Sequence, residues 1–266
     1  MSDAKPAVGA VRLEGVGKRF SSDGREVAAL AGFDLDVPAG SFTALVGPSG
    51  CGKTTLIDLI AGYETPDAGR ILFDGVPVAG PGLDRLVVFQ ETRLFPWMTV
   101  LDNVTFGPLA RGEDARATRE LGRSLLRSFG LEGVALRYPR QLSGGMQRRA
   151  ELARALINSP KIMLLDEPFR GLDAMTRQLM QNYLLDLFAR SPRTYVFVTS
   201  ELEEAIYLAD RVVLLTGRPA RVRTILEVDL GRPRTPAITT SPRFLEIVRQ
   251  ALEITHEEGR RAFVRG

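Results

Sequence analysis

Residues 47–55 read GPSGCGKTT and lie between the apolar segments SFTALV and LIDLIAG. Glycines at 47, 50 and 52 allow a tight turn in which successive backbone N–H groups converge on phosphate oxygens. Lys53 adds a mobile positive charge, and the hydroxyl of Thr54 is a candidate ligand for Mg²⁺. The pattern predicts a loop that binds a nucleoside triphosphate; the alternative is a glycine-rich turn that binds nothing. The predicted loop residues are Gly47, Pro48, Ser49, Gly50, Cys51, Gly52, Lys53, Thr54 and Thr55.

A pair of carboxylates ends a second apolar segment, KIMLLDE at 161–167. An acidic residue at the end of a buried strand can hold Mg²⁺ through water, and the next carboxylate can polarise an attacking water. Asp166 and Glu167 are the candidates for these two roles, and we expect the end of this strand to lie beside the phosphate loop. The alternative is a solvated or helix-capping acidic pair, which is common at strand ends.

A third motif, LSGGMQRR at 142–149, places a serine before two glycines and a predicted helix. The Ser143 hydroxyl and the N–H groups of Gly144 and Gly145 are therefore predicted to form a second anion site. Taken alone, the motif would favour an ordinary helix N-cap.

The elements that must position these motifs alternate between strand and helix. Short strands are predicted within 10–46, and RILFDGVPV predicts a hairpin around Asp74-Gly75. The apolar runs at 161–166, 194–199 and 211–215 are typical of parallel strands buried on both faces. The segment 113–130 predicts an amphipathic helix with Leu121, Leu125, Leu126 and Phe129 on its apolar face and Gly130 at its C-terminal end. We therefore expect an α/β fold: a P-loop NTPase core with a mostly parallel sheet, an N-terminal antiparallel β part and an inserted helical subdomain. The expected parts are 10–91 and 161–217 as the core, 92–160 as the helical subdomain and 218–266 as a C-terminal extension.

The composition is ordinary for a soluble globular protein: 266 residues, 44% hydrophobic and 25% charged. The net charge of +3 comes with no aromatic-interleaved basic patch, so no nucleic-acid partner is expected. The single cysteine, Cys51, excludes an internal disulfide and favours a reducing compartment. With no signal segment and no run of about 18 apolar residues, we expect a cytoplasmic protein that reaches a membrane only through a partner.

The three motifs in this order, with Gln90 between the first two anion sites, resemble the ATPase subunit of an ATP-binding cassette (ABC) transporter. The resemblance covers nearly the whole chain. It implies that the phosphate loop binds ATP, that Thr54 and Gln90 coordinate Mg²⁺ with support from Asp166, and that Glu167 is the general base.

The same resemblance implies a head-to-tail dimer with two ATP molecules between the subunits. Ser143, Gly144 and Gly145 would grip the γ-phosphate bound by the opposite subunit, and Asp173 would cross the dimer interface. Phe20 would stack on adenine; its alternative is a place in the core.

The segments at 80–107, 138–146, 174–181 and 217–221 resemble the nitrate, sulfonate and taurine importer branch of this family. The resemblance implies an identical or different second ATPase subunit, integral membrane permease subunits and, indirectly, a periplasmic or extracellular solute-binding protein. The subunit would sit peripherally on the cytoplasmic face of the inner cell membrane. The segment from Leu94 to Trp97 would line the groove for a permease helix, with a place in the subdomain core as the alternative.

The departure from the family pattern that matters most is Ser200, which follows the predicted strand 194–199 where the family has a histidine that contacts the γ-phosphate. Met146, where many members have glutamine, and Gly171, where alanine is usual, are minor departures. A serine donates a hydrogen bond but cannot act as an acid near neutral pH. We therefore expect slow basal hydrolysis, or a partner subunit that supplies the histidine. Two alternatives remain: a regulatory ATP-binding subunit that hydrolyses weakly, and an ABC ATPase that works without a membrane.

Overall fold

The computed structural model describes residues 8–22, 25–190 and 193–265. In these ranges, a small antiparallel sheet has the strand order β2-β1-β4-β5 and a larger sheet has the order β10-β9-β3-β8-β7-β6. The strands are β1 (Val11–Ser22), β2 (Arg25–Val37), β3 (Phe42–Val46), β4 (Ala68–Phe73), β5 (Val76–Pro77), β6 (Arg85–Val88), β7 (Ile162–Asp166), β8 (Thr194–Thr199), β9 (Arg211–Leu215) and β10 (Val222–Glu227).

The larger sheet is parallel except for β10, which pairs antiparallel with β9. Val46 pairs with Thr199, and Asp166 pairs with Val198, so β3, β7 and β8 end at the same edge. The polar segments that follow these strands therefore meet at that edge. The predicted α/β class with a mostly parallel sheet and an antiparallel N-terminal part is confirmed.

Alternate residues of the parallel strands serve two separate hydrophobic cores, as the period of two requires. In β7, Met163 and Leu165 join the core under the inserted helices, whereas Ile162 and Leu164 join the core under the antiparallel sheet. The predicted hairpin is also confirmed. Asp74 and Gly75 both have positive φ, 49° and 81°, as a two-residue hairpin turn of type I′ needs.

Helices cover both faces of the larger sheet, and three of them form the inserted segment. The helices are α1 (Lys53–Ala61), α2 (Val100–Ala110), α3 (Ala115–Ser128), α4 (Gly144–Leu156), α5 (Ala174–Arg190), α6 (Leu202–Leu208) and α7 (Pro242–Arg265), with 3₁₀ turns at Glu132–Val134, Pro139–Gln141 and Pro236–Thr240. Within the described ranges, no helix combines the length and the apolar character needed to cross a bilayer.

Helix α3 shows both a confirmed and a wrong sequence expectation. Gly130 (φ 63°) ends the helix as predicted, and Leu131 donates its N–H to Leu126 O at 2.7 Å. Leu121 was expected on the buried face, but it is 51% exposed. Gly122 takes the buried position instead, because α3 approaches α2 so closely that a Cβ at 122 would lie 2.6 Å from Thr105 Cγ2.

Tyr195 is a buried polar side chain whose hydroxyl, within the described residues, has no hydrogen-bond partner. Its ring stacks on Phe42 at 5.3 Å, and burial raises the pKa of the phenol to about 12. A buried hydroxyl without a partner costs about 1–3 kcal/mol, so Tyr195→Phe should raise the free energy of unfolding by about 1 kcal/mol. Urea unfolding measures this.

Tyr207→Phe is the matched control, because the Tyr207 hydroxyl is bonded to Asn182 Oδ1 at 2.7 Å. Its removal should lower stability by about 1 kcal/mol. Equal losses in both variants would show that the Tyr195 hydroxyl is satisfied in solution.

Candidate functional site

The loop 47–52 joins β3 to α1 at the polar edge of the larger sheet. Gly50 and Gly52 have φ of 72° and 120°, which favour glycine. At Gly47, a Cβ would lie 2.9 Å from the Leu215 Cβ, so there is no room for a side chain at this position either. The first motif therefore forms the tight turn that its glycines predict.

Lys53 folds over this loop. Its Nζ donates to Gly47 O at 2.8 Å and to Pro48 O at 3.0 Å, and only 6% of the residue is exposed. Neutral carbonyls are weaker acceptors for an ammonium group than phosphate oxygens are. The lysine is thus held next to the place where a phosphate would bind, by bonds that a phosphate can replace.

A polar cavity of about 270 Å³ opens above the loop, and residues of the first two motifs line it. Gln90, Asp166 and Glu167 line it together with the first motif, as predicted. Cys51 lies behind the loop, where burial raises the pKa of its thiol. The lining residues are Ser49, Gly50, Gly52, Lys53, Thr54, Thr55, Gln90, Asp166, Glu167, Arg170 and Arg218.

Thr54 and Asp166 are linked directly: the threonine hydroxyl donates to Asp166 Oδ2 at 2.9 Å. Asp166 is 5% exposed, and burial raises its pKa while the bond from Thr54 opposes that shift. With the Gln90 amide in the same cavity, the donors are a hydroxyl, a carboxylate and an amide oxygen. Such hard oxygen donors fit Mg²⁺.

Glu167 follows Asp166 with φ 42°, and its N–H donates to Val198 O at 2.9 Å. The carboxylate is paired with Arg170, whose Nη1 lies 3.0 Å from Glu167 Oε2. Glu167 is 14% exposed at the side chain, whereas Arg170 is 62% exposed. The predicted base therefore faces the cavity beside an arginine that the sequence analysis did not single out.

Ser200 lies at the end of β8 and is exposed. It lines a small cavity of about 60 Å³ together with Glu167 and Arg170. The residues on either side are fixed, because the Thr199 hydroxyl donates to Glu204 Oε2 at 2.6 Å and accepts from the Glu201 N–H at 3.1 Å. Burial raises the pKa of Glu204. The structure thus brings Ser200 close to the phosphate-loop cavity.

The third motif lies apart from this cavity. The Ser143 hydroxyl caps α4 by accepting from the Met146 N–H at 3.3 Å. Ser143 and Gly144 are exposed, whereas Gly145 packs so closely that a Cβ would lie 2.6 Å from Thr176 Cγ2. The N-terminal end of α4 is therefore exposed, and a ligand bound outside this chain's own phosphate loop can contact it.

Asp173 and Phe20 also lie outside the phosphate-loop cavity. Asp173 is exposed and caps α5, and the bonds from the Thr176 hydroxyl (2.6 Å) and N–H (2.9 Å) lower its pKa. Phe20 is 40% exposed, with the Lys18 ammonium 5.3 Å from its ring centre. The alternative that placed Phe20 in the core is wrong. Phe20 lies in β1, and the paired strand β2 packs against the phosphate loop. The Ala29 carbonyl oxygen of β2 lies 3.1 Å from the position that a Cβ on Gly52 would take.

A family profile described as ABC transporter matches residues 30–170. The chain belongs to the ABC transporter family. An uncharacterized ABC transporter ATP-binding protein of Methanocaldococcus jannaschii is 47% identical over 248 residues, 93% of this chain and 92% of that protein. The taurine import ATP-binding protein TauB of Chromobacterium violaceum is 43% identical over 234 residues, 86% of this chain and 90% of that protein.

A solved dimer, the ATP-binding cassette MJ0796 in a post-hydrolysis state with ADP and Pi, has the same fold. Its TM-score is 0.74 at 28% identity, and the match covers 83% of this chain and 100% of that one. The predicted family, fold and ATPase activity are thus confirmed. This chain is an ABC ATPase.

Three arginines of this ABC ATPase that the sequence analysis missed hold the site together. Arg218 donates to Gly50 O at 2.8 Å and fixes the phosphate loop. Arg148, 4% exposed, donates to the carbonyls of Phe89 and Gln90 and pairs with Glu151 at 2.5 Å. Arg170 is the third. The sequence offers one indication of these arginines: each lies within or shortly after a segment already singled out, at 142–149, 161–167 and 217–221.

Proposed function

We propose that this ABC ATPase hydrolyses Mg²⁺-ATP at the 47–55 loop and so powers the import of a small solute through integral membrane permease subunits. The observation that carries the proposal is one cavity lined by Lys53, Thr54, Gln90, Asp166 and Glu167. The charges and donors in it match a triphosphate, a divalent cation and an attacking water.

In the proposed reaction, Lys53 leaves its two loop carbonyls for phosphate oxygens. Thr54, Gln90 and Asp166 would hold Mg²⁺, which when bound neutralises phosphate charge. Glu167 accepts a proton from the water as its oxygen bonds to the γ-phosphorus. The bond from that phosphorus to the β–γ bridging oxygen breaks, and ADP and inorganic phosphate are released. Ser200 donates a hydrogen bond from the small adjoining cavity.

We also propose that two ATPase subunits close around ATP, each completing the other's site. The exposed N-terminus of α4 at Ser143 and Gly144, separate from the chain's own phosphate loop, supports this arrangement. Asp173 is also exposed, and we place it at this interface. ATP then favours the closed dimer because its γ-phosphate bridges the subunits, and hydrolysis removes that bridge.

A mostly apolar groove of about 520 Å³ supports docking of a permease helix. Phe95 and Phe106 line it, with their rings 4.9 Å apart, and Trp97 stacks on Phe95 while remaining 69% exposed. Leu94 is buried, so only part of the 94–97 segment faces outward. We propose that the subunit sits peripherally at the cytoplasmic face of the membrane, where this groove meets the permease.

The solute proposed is a nitrate-, sulfonate- or taurine-like small molecule, delivered to the permease by a solute-binding protein. The similarity to a taurine import subunit supports this class. The test is to reconstitute the chain with its permease and binding protein and to measure phosphate release with each solute. Stimulation by one solute supports the proposal. If the ATPase activity needs no membrane partner and none of the solutes stimulates it, the membrane-free alternative is favoured.

A second candidate, a regulatory subunit with weak hydrolysis, is favoured by Ser200. Because an imidazole at this position can carry a proton and a positive charge, Ser200→His should raise basal ATP turnover about tenfold. Phosphate release by the purified chain measures this. Fast hydrolysis by the unaltered chain, with no gain in Ser200→His, would contradict the expectation.

A further inference from the structure

Arg170 is the least restrained cation in the phosphate-loop cavity. Lys53 is buried over two loop carbonyls, and Arg218 is fixed to Gly50 O through two of its nitrogens. The Arg170 side chain makes one hydrogen bond among the described residues, from Nη1 to Glu167 Oε2 at 3.0 Å, and is 62% exposed. A guanidinium group has five N–H donors in a planar fork, so this one can bind a second acceptor or change its partner.

The position of Arg170 also matters. It lines the cavity above the phosphate loop and the small cavity at Ser200, and it therefore stands where the two spaces meet at Glu167. A terminal phosphate beside the Glu167 carboxylate would place like charges together, which is unfavourable unless a cation lies between them. Ser200, at the far side, offers a hydroxyl and no charge.

We propose that Arg170 is the cation that recognises the γ-phosphate: it pairs with Glu167 in the empty site and binds the γ-phosphate when ATP enters. Arginine suits this role because its fork matches phosphate oxygens as well as carboxylate oxygens. The exchange couples two events. The carboxylate is paired while no triphosphate is present, and it becomes available to the attacking water once the triphosphate has arrived. This inference rests on the proposed ATP site.

The test compares ATPγS, a slowly hydrolysed analogue, with ADP, which lacks the γ-phosphate. Calorimetric titration of the purified full chain with Mg²⁺ should show that Arg170→Ala raises the Kd for ATPγS about tenfold and changes the Kd for ADP less than twofold. Arg170→Lys, which keeps the charge but loses the fork, should retain part of the preference. Arg127→Ala, which removes an exposed arginine paired with Glu132 at 2.9 Å on α3, is the matched control and should change neither Kd.

A double-variant comparison separates this role from a structural one. In a Glu167→Gln background, Arg170 does not have to break an ion pair before it binds the γ-phosphate. Arg170→Ala should therefore weaken ATPγS binding more in that background than in the unaltered chain. Ser200→His should return part of the ATPγS preference to Arg170→Ala, because it adds a donor to the same space. Equal weakening of ATPγS and ADP by Arg170→Ala, or no change in either, would overturn the inference. If the unaltered chain bound neither nucleotide, the proposed ATP site itself would fail.

Discussion

Glu167→Gln should lower ATP turnover by at least about a hundredfold while ATP still binds, because the amide keeps the size of the side chain but cannot accept a proton from water. The backbone at this position, held by its bond to Val198 O, should be unaffected. Phosphate release measures the loss. Light scattering should show that ATP converts the variant to a stable dimer, since the γ-phosphate is no longer removed.

Glu132→Gln is the control for this prediction, because Glu132 is an exposed carboxylate that also pairs with an arginine but lies outside the cavity. It should hydrolyse ATP like the unaltered chain. Normal turnover in Glu167→Gln would exclude this carboxylate as the base. A variant that remains monomeric with saturating ATP would contradict the shared-nucleotide dimer.

Lys53→Ala should weaken ATP binding about a hundredfold, because it removes the one buried ammonium group at the phosphate loop in the described structure. The loss should be larger for ATP than for AMP, which has fewer phosphates for the lysine to contact. Titration with both nucleotides, followed by calorimetry or a fluorescent analogue, provides the measurement.

Lys161→Ala is the matched control. Lys161 directly precedes β7, at the edge of the sheet opposite the phosphate loop, and pairs with Asp74 at 3.1 Å. Its nucleotide affinities should not change. Lys53 also bonds the loop carbonyls, so the melting temperature of each variant must be compared. A folded Lys53→Ala chain with unchanged ATP affinity would contradict the assignment of the loop.

Much of the fold could be predicted because its signals are local. The run of apolar residues before Asp166 specifies a buried strand whatever it packs against, and the glycines of the phosphate loop specify a turn. Because three parallel strands end together, this local information also predicted that Asp166 and Glu167 would meet the loop. Leu121 was misplaced for a tertiary reason: the close approach of α3 to α2 at Gly122 turned it outward.

The parts of the site that could not be predicted depend on long side chains reaching across the fold. Arg218 bonds Gly50 from 168 positions away, and no spacing in the sequence connects the two. The pairing of Arg170 with Glu167 is closer in sequence, but it depends on a turn that gives Glu167 a positive φ.

The buried pair of Arg148 and Glu151 has a mechanical consequence. Arg148 binds the carbonyls of Phe89 and Gln90, and Glu151 accepts from the Arg93 N–H at 3.0 Å, so both ends of the 89–93 stretch are anchored to α4. If the inserted helices rotate relative to the sheet, this stretch must travel with the helices as one rigid unit. The bending then falls between Val88 and Phe89, and the Gln90 amide is drawn towards or away from the Thr54 hydroxyl by the same rotation that tilts the groove at Phe95.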